Sequence, residues 1–126
     1  MPGYLDNMLW LVLCIYFESR SEPLEGQVAV AHVILNRVEK RNASVEDIVK
    51  APYQFSWLNQ GERKPVIDDF TALLKCLNAV HQCLAERLDG KDLSGADHYH
   101  TTEVHPYWAD AYKKVTQIGN HIFYKS

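Results

Sequence analysis

Glu18 is the residue of this sequence best placed to do chemistry. It follows nine consecutive apolar residues, Leu9 to Phe17, in the stretch LWLVLCIYFES. A helix that is apolar on every side has no solvated face and belongs in the middle of a fold. Glu18 is therefore expected at the end of a buried helix, beside Tyr16 and Phe17. Desolvation disfavours the charged form of a carboxyl and raises its pKa. A carboxylic acid held protonated near neutral pH is what a general acid requires. Without such burial the same residue is an ordinary surface Glu at a helix end. Glu22 lies one turn further on, with Glu25 close behind. Paired carboxylates suit a glycosidase, but both of these also have a structural reason to sit at the positive end of a following helix.

Two other groups of residues invite function. Tyr53-Gln54-Phe55-Ser56-Trp57 is an aromatic stretch with polar residues between the rings. An exposed Trp or Tyr stacks on sugar faces through its negative π-surface, and Gln54 and Ser56 supply neutral hydrogen bonds to hydroxyl and N-acetyl groups. Phe55 and Trp57 read equally as core plugs. The second group is His98, His100 and His121. Alternate residues of a strand point the same way, so His-x-His plus a histidine on a paired strand would suit zinc. The same residues also read as substrate contacts, as groups orienting Glu18, or as structural histidines. No cysteine or acidic residue is well spaced to complete a metal set, so no metal or other cofactor is expected. His32 and His81 fall on helices and read as structural. His105 precedes a proline and carries no signal.

The elements that must position these groups follow from pattern. A first helix, capped by Asp6 or Asn7, runs to about Arg20. After SRSEP, a second helix has Pro23 in its first turn and a stripe of Leu24, Val28, Ala31, Leu35 and Val38. Ser44-Val45-Glu46-Asp47 resembles a capping box and opens a short helix stopped by Ala51-Pro52. Asp68 or Asp69 starts a long helix with Leu73, Leu77, Val80, Leu84 and Leu88 as its buried stripe, and Gly90 ends it. Asp97 to Thr102 is β-prone. Val115–Ile118, Gly119-Asn120 and His121–Tyr124 read as a hairpin, with Pro106-Tyr107-Trp108 irregular or briefly helical before it. The fold class is α+β, mostly helical with a small antiparallel C-terminal sheet, in one domain spanning 1–126.

With 126 residues, net charge −3 and no block of like charge, the chain lacks the electrostatic footprint of a nucleic-acid partner. The apolar run is shorter than the ~20 residues of a membrane span, so no membrane partner is expected. It also lacks a positive flank and a small-residue cleavage site. The expectation is a chain made in the cytoplasm without a signal peptide. Cys76 and Cys83, about 10 Å apart along one helix, are too distant for a disulfide. All three cysteines read as buried thiols.

Tyr16-Phe17-Glu18-Ser19-Arg20-Ser21-Glu22-Pro23, Gly26-Gln27-Val28-Ala29-Val30-Ala31 and Val33-Ile34-Leu35-Asn36-Arg37-Val38 resemble the spore-cortex-lytic (SleB-type) cell wall hydrolase family. Gln54-Phe55-Ser56-Trp57 and Ile118-Gly119-Asn120-His121-Ile122-Phe123-Tyr124 extend the likeness, which runs from about Leu9 to Tyr124. The resemblance implies a lysozyme-like fold. It further implies cleavage of the β-1,4 bond between N-acetylmuramic acid and N-acetylglucosamine in bacterial peptidoglycan glycan strands. It implies a single catalytic glutamate, mapped onto Glu18. That glutamate acts as a lytic transglycosylase, leaving a 1,6-anhydro end, or as a muramidase using water. Ser19 stands where Ala is usual in the family and Ser21 where Gly is usual; Ser21 is expected to tighten the turn after Glu18. Without an export signal or a wall-binding domain, the chain looks more like a phage endolysin than a spore protein, and a monomer is expected. Gln54, Ser56, Trp57, Tyr99, His121 and Tyr124 are the expected groove residues, with Glu22, Gln27, His98 and His100 as a second set. Two rivals stand beside this: a zinc amidase or peptidase built on His98, His100 and His121, and a non-catalytic glycan-binding module.

Overall fold

The computed structural model describes residues 3–51 and 66–126. The apolar run forms α1 (Tyr4–Ser19), which starts from Gly3 rather than from Asp6 or Asn7. Asp6 instead turns back and accepts a hydrogen bond from the Gly3 amide at 3.3 Å. Helices α2 (Leu24–Arg41), α3 (Val45–Lys50) and α4 (Phe70–Leu88) all pack against α1. Leu11, Val12, Cys14, Ile15 and Tyr16 are buried at their junction. The burial is not all round, as the apolar pattern had suggested. Leu5 and Leu9 are 79% and 56% exposed, and the first half of α1 opens on an apolar cleft shared with Ile67, Leu73 and Leu77.

Pro23 is the residue before α2 rather than inside its first turn, so its missing N–H again costs nothing. From Gly26 to Ile34 every residue of α2 is buried. Asn42 closes α2 in the left-handed conformation that Asn tolerates better than most residues. Ser44 caps α3 by accepting from the Asp47 amide at 3.1 Å, and Asp69 caps α4 by accepting from Ala72 at 3.0 Å. The buried face of α4 is not the leucine stripe. It is Cys76, Ala79, Val80 and Cys83, while Leu77 and Leu88 are exposed. Small side chains at a helix contact allow close approach, and the larger leucines flank the seam. Burial pushes the Cys76 thiol up to about 11 and the Cys83 thiol up to about 12, so both are inert packing groups.

The C-terminal sheet has strands β1 (His98–Thr101), β2 (Lys113–Ile118) and β3 (His121–Lys125) in the order β1-β3-β2, all antiparallel. Gly119-Asn120 makes the β2–β3 turn, with Gly119 at φ +57°. Tyr107–Asp110 is a single 3-10 turn. Paired residues of neighbouring strands share a face, and the register sets Tyr99 opposite Phe123 and Thr101 opposite His121. Those four look toward the helices. His98, His100 and Tyr124 look the other way, under the rings of Trp108 and Tyr112.

Buried Asp97 ties the sheet to α2. Its carboxylate accepts from Lys40 Nζ at 2.8 Å, from the Ser126 amide at 2.9 Å and from His98 Nδ1 at 3.0 Å. Its carbonyl accepts from Arg37 Nε at 2.7 Å. Burial opposes the charge, yet the bonds from Lys40, Ser126 and His98 together hold the carboxyl well below the usual range. A depressed folded-state pKa stabilises the fold above the ordinary carboxylate pKa, and the gain is lost as pH falls below it. Asp97→Asn is accordingly expected to cost roughly 1–3 kcal/mol at pH 7, with wild type and variant converging as the pH drops below about 4. Urea melts across that range check this; a cost independent of pH would contradict it.

Candidate active site

Glu18 sits in the last turn of α1, half-buried. Tyr99 Oη of β1 donates to its Oε1 at 2.6 Å, the short distance of a charge-assisted bond. Burial is the strongest influence on the carboxyl and raises its pKa. The Tyr99 bond and the Arg37 guanidinium pull the other way without cancelling it. Tyr99 itself is pushed well up, by burial and by the charge of Glu18, so it stays a proton donor at neutral pH. Cys14, behind Glu18, is driven up by burial and by the same carboxylate, and is no nucleophile.

The turn after Glu18 is fastened from several sides. A helix leaves its last four carbonyls without internal partners. Gln27 of α2 answers this with one amide: its Nε2 lies 3.1 Å from the Ser19 carbonyl, 3.2 Å from that of Arg20 and 3.4 Å from that of Glu22. Lys75 Nζ of α4 donates to the Glu22 carbonyl at 2.8 Å. Ser19 is buried and donates back to the Ile15 carbonyl at 3.0 Å, which satisfies its hydroxyl inside the helix. Arg20 donates to Tyr16 Oη at 2.6 Å and to Asp68 at 2.9 Å, which ties the turn to the start of α4.

A polar cleft of about 260 Å³ opens here. The α1–α2 turn contributes Glu18, Ser21 and Glu22; the end of β1 contributes Thr101, Thr102 and Glu103; the hairpin contributes Asn120 and His121. Glu22 was expected to serve the start of α2. Instead it is 8% exposed, and its Oε1 accepts from the Asn120 amide at 3.2 Å. His121 Nδ1 lies 3.2 Å from the same oxygen, off the line of an aligned hydrogen bond. A Cβ on Gly119 would stand 3.3 Å from that oxygen and 3.4 Å from Pro23 Cδ, so a side chain there would crowd the contact as well as strain the positive φ. The Tyr99 ring meets the His121 ring edge-on at 5.1 Å between centroids. Burial lowers the His121 pKa, with Glu22 opposing and His100 adding to the shift.

The structure thus brings Glu18, Glu22, Tyr99 and His121 together. It does not bring Tyr124, His98 or His100 to the cleft. Tyr124 is buried on the far face of the sheet, where its hydroxyl donates to His100 Nε2 at 2.9 Å. His100 Nδ1 in turn donates to the Thr101 carbonyl at 2.7 Å, which defines the tautomer. Gln27 is wholly buried as a clamp rather than exposed to the cleft. Gln54, Ser56 and Trp57 lie outside the described residues. The zinc triad fails on register: His121 pairs with Thr101, on the face opposite His98 and His100. Among the described residues no group of three His, Cys, Asp or Glu side chains is arranged to hold a metal. Ser21, Thr101, Thr102, Glu103 and Asn120 were not expected as site residues. Asn120 was legible only as a turn former and the threonines only as strand, and the strand register alone places them beside Glu18.

A half-buried acid at the lip of a polar cleft, in a mostly helical α+β domain, is the arrangement of a lysozyme-like glycan-cleaving fold. The chain belongs to the cell wall hydrolase family, whose profile matches residues 21–124. Glu18 lies just before the matched residues. A spore cortex-lytic enzyme of Halalkalibacterium halodurans is 31% identical over 96% of this chain and 36% of its own length. One from Oceanobacillus iheyensis is 31% identical over 98% of this chain and 43% of its own. This chain therefore spans about two fifths of those relatives. It superposes on the catalytic domain of the germination-specific lytic transglycosylase SleB of Bacillus anthracis with TM-score 0.73 and 30% identity, covering 99% of this chain and 100% of that one. The SleB catalytic domain of Bacillus cereus gives 0.72 and 31%, covering 99% and 94%. These relatives are spore enzymes, which lends the phage reading no support.

Because the Tyr99 bond favours the charged form of Glu18, Tyr99→Phe is expected to raise the Glu18 pKa further. Carboxyl 13C NMR titration of both proteins checks this, and an unchanged or lower value in the variant would contradict it.

Proposed function

We propose that this chain is a peptidoglycan-cleaving enzyme acting on the β-1,4 bond between N-acetylmuramic acid and N-acetylglucosamine, as a lytic transglycosylase. The observation that carries this is the Glu18 carboxyl: half-buried, raised in pKa and open to the cleft. In its protonated form it gives its proton to the bridging oxygen as the C1–O bond breaks. Tyr99 holds Oε1, which leaves Oε2 as the transferring oxygen, and its bond strengthens as the carboxylate forms. In the single-carboxylate form of this chemistry the spent Glu18 then receives the proton of the sugar's own C6 hydroxyl, and a 1,6-anhydro end results. Ser21, Thr101, Thr102 and Asn120 offer neutral hydrogen bonds to sugar hydroxyl and N-acetyl groups. The substrate is a glycan strand, so the net charge of −3 needs no basic complement.

We take residues 1–126 as one catalytic domain, monomeric, acting on the bacterial cell wall, with neither nucleic acid nor membrane as partner. No helix among the described residues is long and apolar enough to cross a membrane.

The decisive variant is Glu18→Gln, which keeps the shape and removes the proton. It is expected to lower release of glycan fragments from purified sacculi at least about 100-fold, with an unchanged circular dichroism spectrum. Mass spectrometry of the wild-type digest is expected to find anhydro-muramic ends. Reducing muramic ends would indicate hydrolysis instead, and binding to sacculi without fragments would leave only a glycan-binding module.

A further inference from the structure

Three lysines at the open end of the hairpin take no part in the cleft. Lys113 stands directly opposite Lys125 in the β2–β3 register, with Lys114 beside it. Like charges set opposite each other destabilise a strand pair. None of the three ammonium groups has a hydrogen-bond or ion-pair partner among the described residues. Lys40, by contrast, is held by Asp97, Lys50 by Glu46 and Lys75 by the Glu22 carbonyl. Lysines on an edge strand can serve simply to keep other strands away. That accounts for Lys113 and Lys114, because β2 is the edge of the described sheet, but Lys125 lies on the central strand β3.

The three line a depression of about 240 Å³ together with Ser94 and Val115. Among the described residues no carboxylate lines it. Consecutive strand residues point to opposite faces, yet Lys113 and Lys114 both line this space, next to a register shift between Lys114 and Thr116. Such bulges bend a strand and re-aim its side chains. Ser94 comes from a turn in which Leu93, Ser94 and Gly95 have φ of +57°, +54° and +77°. Two successive non-glycine residues in the left-handed region are strained, and such strain gathers at ligand clamps. Lys125 reaches over that turn, where a Cβ on Gly95 would stand 3.4 Å from its Nζ. The acids of the neighbouring depression, which shares Lys125, are already engaged. Glu39 pairs with Arg87 at 2.7 Å and Asp97 with Lys40 at 2.8 Å, and Asp92 accepts from the Gly95 amide at 3.2 Å. The lysine charge is left uncompensated.

We propose that this depression is an anion site, separate from the cleft, that takes the phosphate groups of a phosphodiester-linked cell-wall polymer. Three separate ammonium donors and a hydroxyl suit a tetrahedral group with several oxygens. A planar carboxylate is better matched by the fork of an arginine, and no arginine lines the space among the described residues. A lipid surface would call for exposed apolar side chains beside the lysines, and the one apolar lining residue, Val115, is half-buried. Lys125 and His121 are the two ends of β3, about 13 Å apart along the strand. A polymer held by the lysines therefore leaves the cleft open to the glycan. The wall as the place of encounter rests on the proposed function; the affinity for phosphate does not.

The test is titration of the whole chain with synthetic poly(glycerol phosphate) at low salt, followed by 1H–15N NMR. Amide shifts are expected at Ser94, Lys113, Lys114 and Lys125, with Glu18 and His121 unmoved. Lys113→Gln, Lys114→Gln and Lys125→Gln combined are expected to weaken binding at least about 10-fold. The same three positions changed to Arg are expected to bind within about threefold of wild type, and added salt to weaken both. Both variants are expected to keep the wild-type rate on phosphate-free glycan strands. Should the Gln variant fail to fold, the wild-type shifts and the Arg variant decide. The proposal is overturned by shifts confined to the cleft, by a folded Gln variant within about twofold of wild type, by equal affinity for polyglutamate of the same length, or by binding to phosphatidylglycerol vesicles in preference to the polymer. A protein that binds the polymer but releases no glycan fragments keeps this site and loses the proposed function. One that cleaves without binding does the reverse.

Discussion

The bond from Tyr99 Oη to Glu18 Oε1 joins residues 81 apart in sequence and ties the acid on α1 to the sheet. Closing so long a loop costs conformational entropy that one hydrogen bond does not repay. The helix core and the sheet must therefore already be in place. The core supplies α1, whose second half, from Leu11 to Tyr16, packs among the other helices. The sheet supplies Tyr99, held by pairing with Phe123 and by the Asp97 anchor two residues earlier. A phenol so deeply buried keeps its proton, so it acts as a donor whichever state Glu18 is in. The bond is thus structural support for the acid and a brake on its pKa together.

The second requirement is a turn that leaves the carboxylates on the cleft side. The main chain from Ser19 to Glu22 has orphan carbonyls at the end of a buried helix, an arrangement that is costly without donors. Gln27 and Lys75 provide donors from two different helices. The turn that carries Glu18 and Glu22 is thereby tied to both α2 and α4. This gives a physical reason for a fully buried Gln in the first turn of an otherwise apolar helix face.

Much of this was legible in the residues. The run into Glu18 announced both the central helix and its exceptional acid, because burial and pKa follow from the same apolar neighbours. Gly-Asn between two β-prone stretches announced the hairpin, because few other residues suit a two-residue turn. What escaped was whatever depends on register or on partner size. The leucines of α4 looked like its core face, yet Cys76, Ala79 and Cys83 hold the contact, since periodicity cannot tell a wide stripe from a close seam. His98, His100 and His121 looked like one cluster, yet pairing of His121 with Thr101 divides them between two faces. Gln27 looked like a ligand contact because nothing local reveals that its partners are carbonyls of the preceding turn.

The two carboxylates of the cleft show how environment separates roles that sequence leaves equal. Glu18 and Glu22 are four residues apart, one in the last turn of α1 and the other in the turn beyond it, and line the same space. Glu18 receives one bond, from a phenol, and its strongest influence is desolvation. Glu22 Oε1 is committed to the Asn120 amide and to the edge of His121. A nucleophile that forms a covalent glycosyl intermediate needs an oxygen free to approach C1, and a carboxylate that also holds the hairpin turn in place has lost much of that freedom. The pair therefore does not have the symmetry of a two-carboxylate retaining glycosidase. Glu18 lines the cleft with a raised pKa, while Glu22 holds the hairpin turn beside it.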